Sequence, residues 1–302
     1  MSEITHMQYL LDNLQVRRFP KQKKAFAEYV SRFTDKVHVE KGMNKNIIVG
    51  DIEKAKVIFT AHYDTCAWMP FPNFIAPMCK WFFPVQILTT MIIVVFVMGL
   101  IAYTAFLVTK NIDSALNISK IFIFAVLFLM LFGPSNKHTA NDNTSGAAAL
   151  LMLMERLGDD VAYVFFDNEE IGLLGSAAFA SKYKKIVKDK IIINMDCISD
   201  GDNIMLLCSK KLKKSDDYGK IIDAITGFES DKNLLTPKSA FYPSDQANFK
   251  KTIAVCALNK HPVFGYSIGK IHTHHDTVAD EENLNVITEL MYCISRRVNN
   301  ER

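Results

Sequence analysis

The chain has 302 residues, and 49% of them are hydrophobic, which is enough apolar material for a large core. Thirty-five basic residues nearly balance 32 acidic ones, and no basic stripe with interleaved aromatic residues is present, which argues against a nucleic-acid partner. The six cysteines are far apart and form no Cys-x-x-Cys pair, a pattern typical of reduced thiols rather than of a disulfide framework.

The first helices and strands are indicated by the spacing of apolar residues. Residues 1–18 are charged and amphipathic, without the apolar region of a signal peptide, so we expect the polar part of the chain to stay on the cytoplasmic side. Residues 4–33 carry apolar side chains at helical spacing, which predicts one or two surface helices interrupted at Pro20. Three short runs typical of strands follow, at Val37–Val39, Asn46–Val49 and Ala55–Thr60.

Beyond a long apolar stretch, predicted helices and strands alternate along the chain. The predicted helices are Ser145–Leu157, Leu173–Lys188, Ser215–Gly227 and Glu281–Val298. The predicted strands are Val161–Phe166, Ile191–Met195 and Ile253–Leu258. Strands that alternate with helices predict an α/β fold, here a three-layer αβα sandwich with a mainly parallel mixed sheet.

Histidine and carboxylate side chains directly follow several of the predicted strands. His62 and Asp64 follow the run that ends at Thr60, Glu169 and Glu170 follow Val161–Phe166, and Asp196 follows Ile191–Met195. The carboxyl ends of parallel strands meet at one edge of a sheet, where these groups would repel one another unless a cation neutralised them. Imidazole and carboxylate ligands without a thiolate suit Zn²⁺, and Mn²⁺ or Co²⁺ would also fit.

Each of these patterns has a common structural explanation when it stands alone. A His-x-Asp triplet is usually an exposed loop or a hydrogen-bonded core histidine, and a Glu-Glu pair is usually a solvated acidic face. Asp196 could cap a turn, and His272 lies in a polar run with His274 and His275, which we interpret as plain loop residues. The order and surroundings of all these positions together are the stronger signal.

Five segments that span most of the chain outside the apolar stretch carry a family resemblance. They are Ala61–Thr65 (AHYDT), Ala140–Gly146 (ANDNTSG), Asn168–Ser176 (NEEIGLLGS), Asn194–Asp196 (NMD) and His272–Thr277 (HTHHDT). In this order they resemble the co-catalytic zinc aminopeptidase family, whose relatives include glutaminyl cyclases, glutamate carboxypeptidases and the transferrin receptor. The resemblance implies a phosphorylase/hydrolase-like zinc exopeptidase fold.

The resemblance also implies a set of metal ligands for two Zn²⁺ ions. Asp142 would bridge the two ions. Glu170 and His272 would complete one site. His62 and Asp196 would complete the other.

Residues beside these ligands receive supporting roles from the same resemblance. Asp64 would accept the second ring N–H of His62 and fix its tautomer. Glu169 would be the general base, which takes a proton from water and passes it to the leaving amine. The Ser145-Gly146 step begins an alanine-rich helix, and its small size would let that helix approach the site closely.

The chain departs from the family pattern late in the sequence. Where the family often carries Ser-Asp-His-x-x-Phe, residues 244–249 read SDQANF, with Gln246 in place of the histidine. This change leaves the contacts to substrate open. Tyr242 and Tyr266 are alternative candidates for the oxyanion donor that such chemistry needs.

Three functions are compatible with this resemblance. The first is a membrane-associated aminopeptidase that removes N-terminal residues from peptides. The second is an aminoacyl transferase like glutaminyl cyclase, which resembles this fold but generally uses one zinc ion. The third is a non-catalytic receptor or scaffold, which ranks last because all five ligands and Glu169 are retained. The oligomeric state is open.

An apolar segment separates Asp64 from Asp142. Phe82–Val108 contains no charged residue and exceeds the roughly 20 residues that a bilayer-spanning helix needs. The second run, Ile118–Phe132, reaches only about 22 Å as a helix, short of the roughly 30 Å hydrocarbon core. We therefore divide the chain into a zinc peptidase domain, residues 1–70 and 135–302, and a hydrophobic helical hairpin, residues 71–134.

The position of the hairpin in the chain limits its topology. His62 precedes it and Asp142 follows it, and both must reach one metal cluster, so the chain crosses a membrane twice or not at all. We expect residues 82–132 to insert from the cytoplasmic face, with the catalytic domain facing the cytoplasm. A protein-buried lid or a dimer arm is the alternative. Lysines near the turn and near the domain balance each other and do not fix the orientation.

Overall fold

The computed structural model describes residues 5–71, 73–158 and 160–299, and within them it has the predicted α/β architecture. The helices are α1 (His6–Asn13), α2 (Pro20–Val30), α3 (Phe82–Thr109), α4 (Ile112–Phe132), α5 (Gly146–Arg156), α6 (Leu174–Lys182), α7 (Lys184–Val187), α8 (Asp217–Thr226) and α9 (Glu281–Asn299). The strands are β1 (Val37–Val39), β2 (Ile47–Val49), β3 (Val57–His62), β4 (Val161–Phe166), β5 (Ile191–Met195), β6 (Asn203–Cys208), β7 (Asn233–Leu235), β8 (Thr252–His261) and β9 (Gly265–Ser267).

The strands form one mixed sheet with a parallel centre. Their order is β1-β2-β4-β3-β5-β8-β6-β7, and β9 pairs with β8. The four central strands β4, β3, β5 and β8 run parallel, so that Phe59 lies between Tyr163 and Ile193. Strands β3, β4 and β5 are buried along their whole length, as continuous apolar runs in a covered parallel sheet require.

Alternate residues of the central strands enter two different cores, which makes the three layers. Val57 and Phe59 of β3 belong to the larger core, which is covered by α1, α2, α5, α8 and α9. Ile58 points to the opposite face and joins a smaller core with Phe179 of α6 and Val187 of α7. The period of two along each strand therefore separates the layers.

Agreement with the sequence-based elements is closest for the buried strands. The bounds of β4 and β5 are those predicted, whereas β6, β7 and β9 were not predicted. Strands β7 and β9 have only three residues each, too few to show a strand pattern in the sequence. They are strands because they pair with a neighbouring strand. The predicted helix Leu173–Lys188 is divided at Tyr183 into α6 and α7.

The apolar segment forms an antiparallel pair of long helices, α3 and α4. Helix α4 begins at Ile112, six residues before the predicted start, because the Asn111 side chain accepts a hydrogen bond from the Ser114 amide and caps it. Its 21 residues measure about 31 Å, so the expectation that the second arm is too short for a bilayer is wrong. The segment before Phe82 instead packs on the domain, where Ile75 pairs with Ile268.

The surfaces of α3 and α4 are apolar and largely exposed in the isolated chain. The most apolar windows of the two helices have mean hydropathies of 2.7 and 2.3, and 0% and 11% of their residues are buried. The buried side chains of α4 are Ala115 and Ser119, small residues one turn apart that permit close helix packing. By length and composition, both helices are able to cross a membrane.

Gly146, at the start of α5, lies at the joint between this helix and the end of β5. A Cβ atom there would lie 2.4 Å from the Met195 backbone oxygen and 2.4 Å from Asn143 Oδ1. The close approach predicted for the Ser145-Gly146 step is therefore present, and it requires glycine.

We expect Gly146→Ala to lower the free energy of unfolding by about 1–3 kcal/mol, because the added methyl group overpacks this joint. Urea unfolding of detergent-solubilised protein, followed by circular dichroism, measures the change. Gly219→Ala is the matched control. Gly219 lies in α8 with nothing within 4 Å of a Cβ atom, so alanine should raise the free energy of unfolding by up to about 1 kcal/mol. Equal stability of wild type and Gly146→Ala would contradict the conclusion that the joint between α5 and β5 requires glycine.

Candidate metal centre

The five predicted metal ligands lie together at the carboxyl edge of the central strands. His62 is the last residue of β3, and Glu170 and Asp196 follow β4 and β5. Asp142 lies in an irregular turn, Ala140–Ser145, that leads into α5, and His272 lies in the loop after β9. Ligands that are up to 210 positions apart in sequence thus share one edge of the sheet because the strands converge there.

The distances define two clusters that share Asp142. His62 Nε2 lies 3.2 Å from Asp142 Oδ1 and 3.5 Å from Asp196 Oδ1. His272 Nε2 lies 3.0 Å from Asp142 Oδ2 and 3.1 Å from Glu170 Oε2. The two carboxylate oxygens of Asp142 therefore face different histidines.

Several nitrogen and oxygen atoms of the predicted ligands are buried without a hydrogen-bond partner, as expected of atoms that bind a divalent metal. His62 Nε2, Glu170 Oε1 and Asp196 Oδ1 are buried and make no hydrogen bond. Buried polar atoms are normally paired, and cations in the two clusters would satisfy all three. Imidazole nitrogens and carboxylate oxygens are among the ligands that zinc uses in proteins.

The same crowding shifts the pKa values of the ligands. Burial opposes the charged form of both histidines, yet the neighbouring carboxylates, Glu169 beside His62 and Glu170 beside His272, raise their pKa values well above the usual range. Burial acts to raise the pKa of Asp142, but the two histidines that face its oxygens outweigh it and hold that pKa below its usual value. Positive charge inside this cluster is therefore strongly favoured.

Glu169 and Asp64, the predicted catalytic residues, lie beside these ligands. A Glu169 carboxylate oxygen lies within 4.8 Å of ligand atoms of His62 and Glu170, and burial raises its pKa well above the usual value. The Asp64 carboxylate accepts hydrogen bonds from the backbone amides of Glu169 (3.0 Å) and Glu170 (3.3 Å). His62 Nδ1 lies closer to the Asp64 backbone oxygen, at 3.2 Å, than to its carboxylate, at 3.7 Å.

Comparison with known proteins identifies the family. The model of peptidase family M28 matches residues 120–294, which is more than half of the chain. The chain belongs to peptidase family M28. The predicted resemblance to co-catalytic zinc exopeptidases is thereby confirmed, and family M28 membership makes the protein a zinc metallopeptidase of the hydrolase class.

Several solved structures share the fold. The LapA aminopeptidase of Legionella pneumophila aligns with 98% of this chain and 68% of its own, with a TM-score of 0.58 and 12% identity. A zinc-dependent exopeptidase of Parabacteroides distasonis aligns with 98% of this chain and 97% of its own, with a TM-score of 0.57 and 13% identity. The glutaminyl cyclase of Fimbriiglobus ruber aligns with 98% and 93%, with a TM-score of 0.52 and 13% identity. No curated protein sequence matches the chain.

Two buried residues that sequence reasoning missed hold the Asp142 turn of this M28 peptidase. Asp276 accepts hydrogen bonds from the backbone amides of Asn141 (2.7 Å) and Asp142 (3.0 Å), and burial raises its pKa to about 8. Arg17 is fully buried and donates from Nη2 to Thr144 Oγ1, at 3.1 Å. The only signal for Asp276 was its place in the matching segment 272–277. Arg17 had no local signal.

Arg17 and Cys66 connect the loop after β3 to the rest of the centre. Arg17 Nε donates to the Tyr63 backbone oxygen at 2.6 Å, next to His62. The Cys66 sulfur lies within 4.8 Å of ligand atoms of Glu170 and His272, although no thiol was expected here. Burial, with the nearby carboxylate of Glu170, raises the pKa of this thiol well above its usual value.

Gln246, which departs from the family pattern, and Tyr242, a candidate oxyanion donor, form hydrogen bonds with other residues of the chain. Gln246 Nε2 donates to the Tyr242 backbone oxygen at 2.7 Å, and its Oε1 accepts from Asn194 Nδ2 at 3.0 Å. The Tyr242 hydroxyl donates to the Asp196 backbone oxygen at 3.0 Å, so it supports the ligand loop. Tyr266 lies on β9, opposite Lys260.

His274 and His275, which we interpreted as loop residues, are exposed. Their rings lie against each other, with centroids 3.8 Å apart and planes tilted by 42°, and they belong to neither predicted ligand cluster. Their imidazoles provide a matched control for the buried histidines.

We expect Zn²⁺ to raise the melting temperature of chelator-treated protein by about 5–15 °C, since saturating ligand adds roughly 3–4 kcal/mol at 100–1,000 times Kd. Differential scanning fluorimetry measures the shift. Asp142→Asn should abolish it because both clusters use this carboxylate, whereas His274→Ala should leave it intact. The same melting temperature with and without Zn²⁺ in the wild type would contradict a metal centre here.

Proposed function

We propose that this M28 peptidase is an aminopeptidase that uses two zinc ions to hydrolyse the N-terminal residues of peptides. The observation that carries the proposal is the position of Asp142, whose two oxygens face two separate histidines. Asp196 completes the His62 cluster and Glu170 completes the His272 cluster. Mn²⁺ or Co²⁺ would also suit these oxygen and nitrogen donors.

The two complete clusters favour hydrolysis over the transferase alternative. A glutaminyl-cyclase-like reaction generally uses one zinc ion, and then His62 and Asp196 would have no metal to hold. Both side chains are instead buried and face Asp142. A non-catalytic role leaves the half-buried Glu169 carboxyl group beside the cluster without a purpose.

Zinc bound here would lower the pKa of a water molecule and polarise the carbonyl group of the scissile bond. Glu169 then takes the proton from the attacking water and delivers it to the leaving amine. Its position suits this exchange, because a Glu169 carboxylate oxygen lies within 4.8 Å of ligand atoms of His62 and Glu170. Asp64 keeps Glu169 in position by accepting the hydrogen bond from its backbone amide.

We expect Glu169→Gln to lower kcat by about 10²–10⁴-fold and to leave the metal content unchanged, because the amide keeps the shape but cannot accept the proton. Hydrolysis of aminoacyl-anilides and metal analysis of the same detergent-purified samples measure both quantities. Asp196→Asn is the companion variant and should lose one of two bound ions. One ion in the wild type, together with cyclisation of N-terminal glutamine, would establish the transferase instead.

We further propose that residues 82–132 anchor the protein in a membrane, with the catalytic domain, residues 1–70 and 135–302, on the cytoplasmic side. The support is the length, composition and exposure of α3 and α4. Apolar helices of this length that face water would be an aggregation hazard, which a bilayer removes. The charged residues Lys110 and Asp113 lie at the far end of the pair, where water or headgroups would meet them.

We expect Val95→Asp combined with Phe124→Asp to abolish membrane insertion, since each carboxylate near the bilayer centre costs about 2.5–3.5 kcal/mol. Both side chains are exposed near the middle of their helices. Val108→Asp with Ile112→Asp, at the polar turn, is the matched control. Flotation of the full chain with liposomes and extraction at alkaline pH measure insertion. A lid or a dimer arm would make both double variants behave alike.

A further inference from the structure

Exposed apolar side chains lie in the segments that contact the base of the hairpin. We call this set the base collar, and its members come from five separate segments of the catalytic domain and the base of the hairpin: Phe19, Trp68, Trp81, Phe241 and Val263. Trp68 and Trp81 are 42% and 49% exposed, and they are the two tryptophans of the chain. The collar is therefore separate from the apolar surface of the helices themselves.

Direct contacts hold the collar at the level where the hairpin leaves the domain. The Trp68 amide donates to the Pro134 backbone oxygen at 2.8 Å, two residues beyond the end of α4. Trp81 immediately precedes α3. Phe241 stacks edge-on against Phe83 of the first turn of α3, with ring centroids 4.5 Å apart.

The segments that carry Val263 and Phe19 also contact the ends of the two hairpin helices. Val263 precedes Phe264, whose ring centroid lies 5.0 Å from that of Phe82 and 5.4 Å from that of Trp81. Phe19 follows Arg18, which donates from Nη2 to the Leu131 backbone oxygen at 2.6 Å, in the last turn of α4.

The geometry of α3 sets the depth at which a bilayer would meet the collar. The first turn of α3 belongs to the domain, because Phe82 is buried and Gln86 Nε2 donates to the Phe74 backbone oxygen at 3.4 Å. The rest of α3 measures about 34 Å, close to the roughly 30 Å hydrocarbon core. A bilayer that covers both helices therefore ends at the collar.

The composition of the collar is that of a membrane interface. Tryptophan is enriched where lipid headgroups meet hydrocarbon, since its ring is apolar and its N–H is polar. Arg18, Lys80 and Lys137 lie beside the collar, and Lys80 and Lys137 are exposed. Cations at this level are attracted by anionic lipid headgroups.

The collar adjoins the metal centre through the backbone. The Met69 amide, next to Trp68, donates to the His272 backbone oxygen at 2.8 Å. The Cys66 backbone oxygen, two residues before Trp68, accepts from the Asn136 amide at 3.1 Å, and the Cys66 sulfur lies beside His272 and Glu170. A surface that holds the collar thus lies next to the proposed catalytic site.

We infer that the catalytic domain docks on the bilayer surface through the base collar, so that its site acts on peptides whose N-termini lie at that surface. This inference rests on the proposed membrane insertion and on the proposed aminopeptidase activity. It adds a second, shallow membrane contact made by the domain, and it names membrane-tethered peptides as the substrate class.

The two tryptophans report the docking directly. Trp68→Phe and Trp81→Phe each leave one tryptophan in the full chain, which is reconstituted in phospholipid vesicles that carry bromine at shallow or deep positions of the acyl chain. We expect the fluorescence of each remaining tryptophan to be quenched, and more strongly by the shallow label. Vesicle binding without quenching by either label would overturn the collar while leaving the hairpin in the membrane. Failure to bind vesicles would overturn the insertion and the collar together.

A kinetic comparison tests the substrate class. Trp81→Ser with Val263→Ser should leave the hydrolysis of a soluble aminoacyl-anilide unchanged and lower the cleavage of a peptide tethered to the same vesicles by a C-terminal acyl chain. Val39→Ser, an exposed valine on the edge strand β1, is the matched control. Equal loss on both substrates, or none on the tethered peptide, would overturn the inference. If the wild type has no activity on either substrate, the proposed aminopeptidase activity is wrong. The proposed docking is unaffected by that result, because the fluorescence quenching tests it independently of activity.

Discussion

The crowding of negative charge at one edge of a buried sheet is the constraint on which the rest of the structure depends. Three carboxylates and two imidazoles meet within a few ångströms, and several of their polar atoms make no hydrogen bond. Buried charges are costly unless they are paired or bind a metal, and Asp142 is the group that the two proposed ions would share. Arg17 and Asp276 hold the surrounding backbone in place. Their buried side chains form hydrogen bonds with the backbone of the loops that carry these atoms, and not with the atoms themselves.

The hairpin interrupts the chain between two ligands, and this fixes where it leaves the domain. Strand β3 ends at His62, and the turn that carries Asp142 begins eight residues after α4 ends. The two ends of the insertion must therefore return to the same edge of the sheet. They do so by pairing Ala67 with Ser135, which brings the base of the hairpin beside the metal centre. A long insertion costs little entropy here because its ends are already close.

The sequence allowed prediction of the parts that local pattern or motif order determines. Buried strands such as β4 were visible as apolar runs, and the grouping of the proposed ligands was visible from the order of the motifs and their places after strands. Short strands such as β9 were missed because three residues carry too little pattern, and only pairing with the end of β8 makes them a strand. Arg17 was missed because its role depends on Tyr63 and Thr144, which only the folded chain brings to it. The start of α4 was misjudged because the cap at Asn111 outweighs the polar residues that follow it.

Short connections at the base of the hairpin also attach the hairpin to the loop that carries His272. Trp68 is held to the chain that leaves α4, and its neighbour Met69 is held to His272, whose φ of 65° puts it in the left-handed region. A non-glycine residue keeps such a backbone conformation only when its surroundings enforce it. The hydrogen bond from Met69 is one of those surroundings, so the chain that leaves α4 and the loop that carries His272 are joined through Trp68 and Met69. Contacts on both sides of the base, from Arg18 to α4 and from Phe241 to α3, add to this attachment.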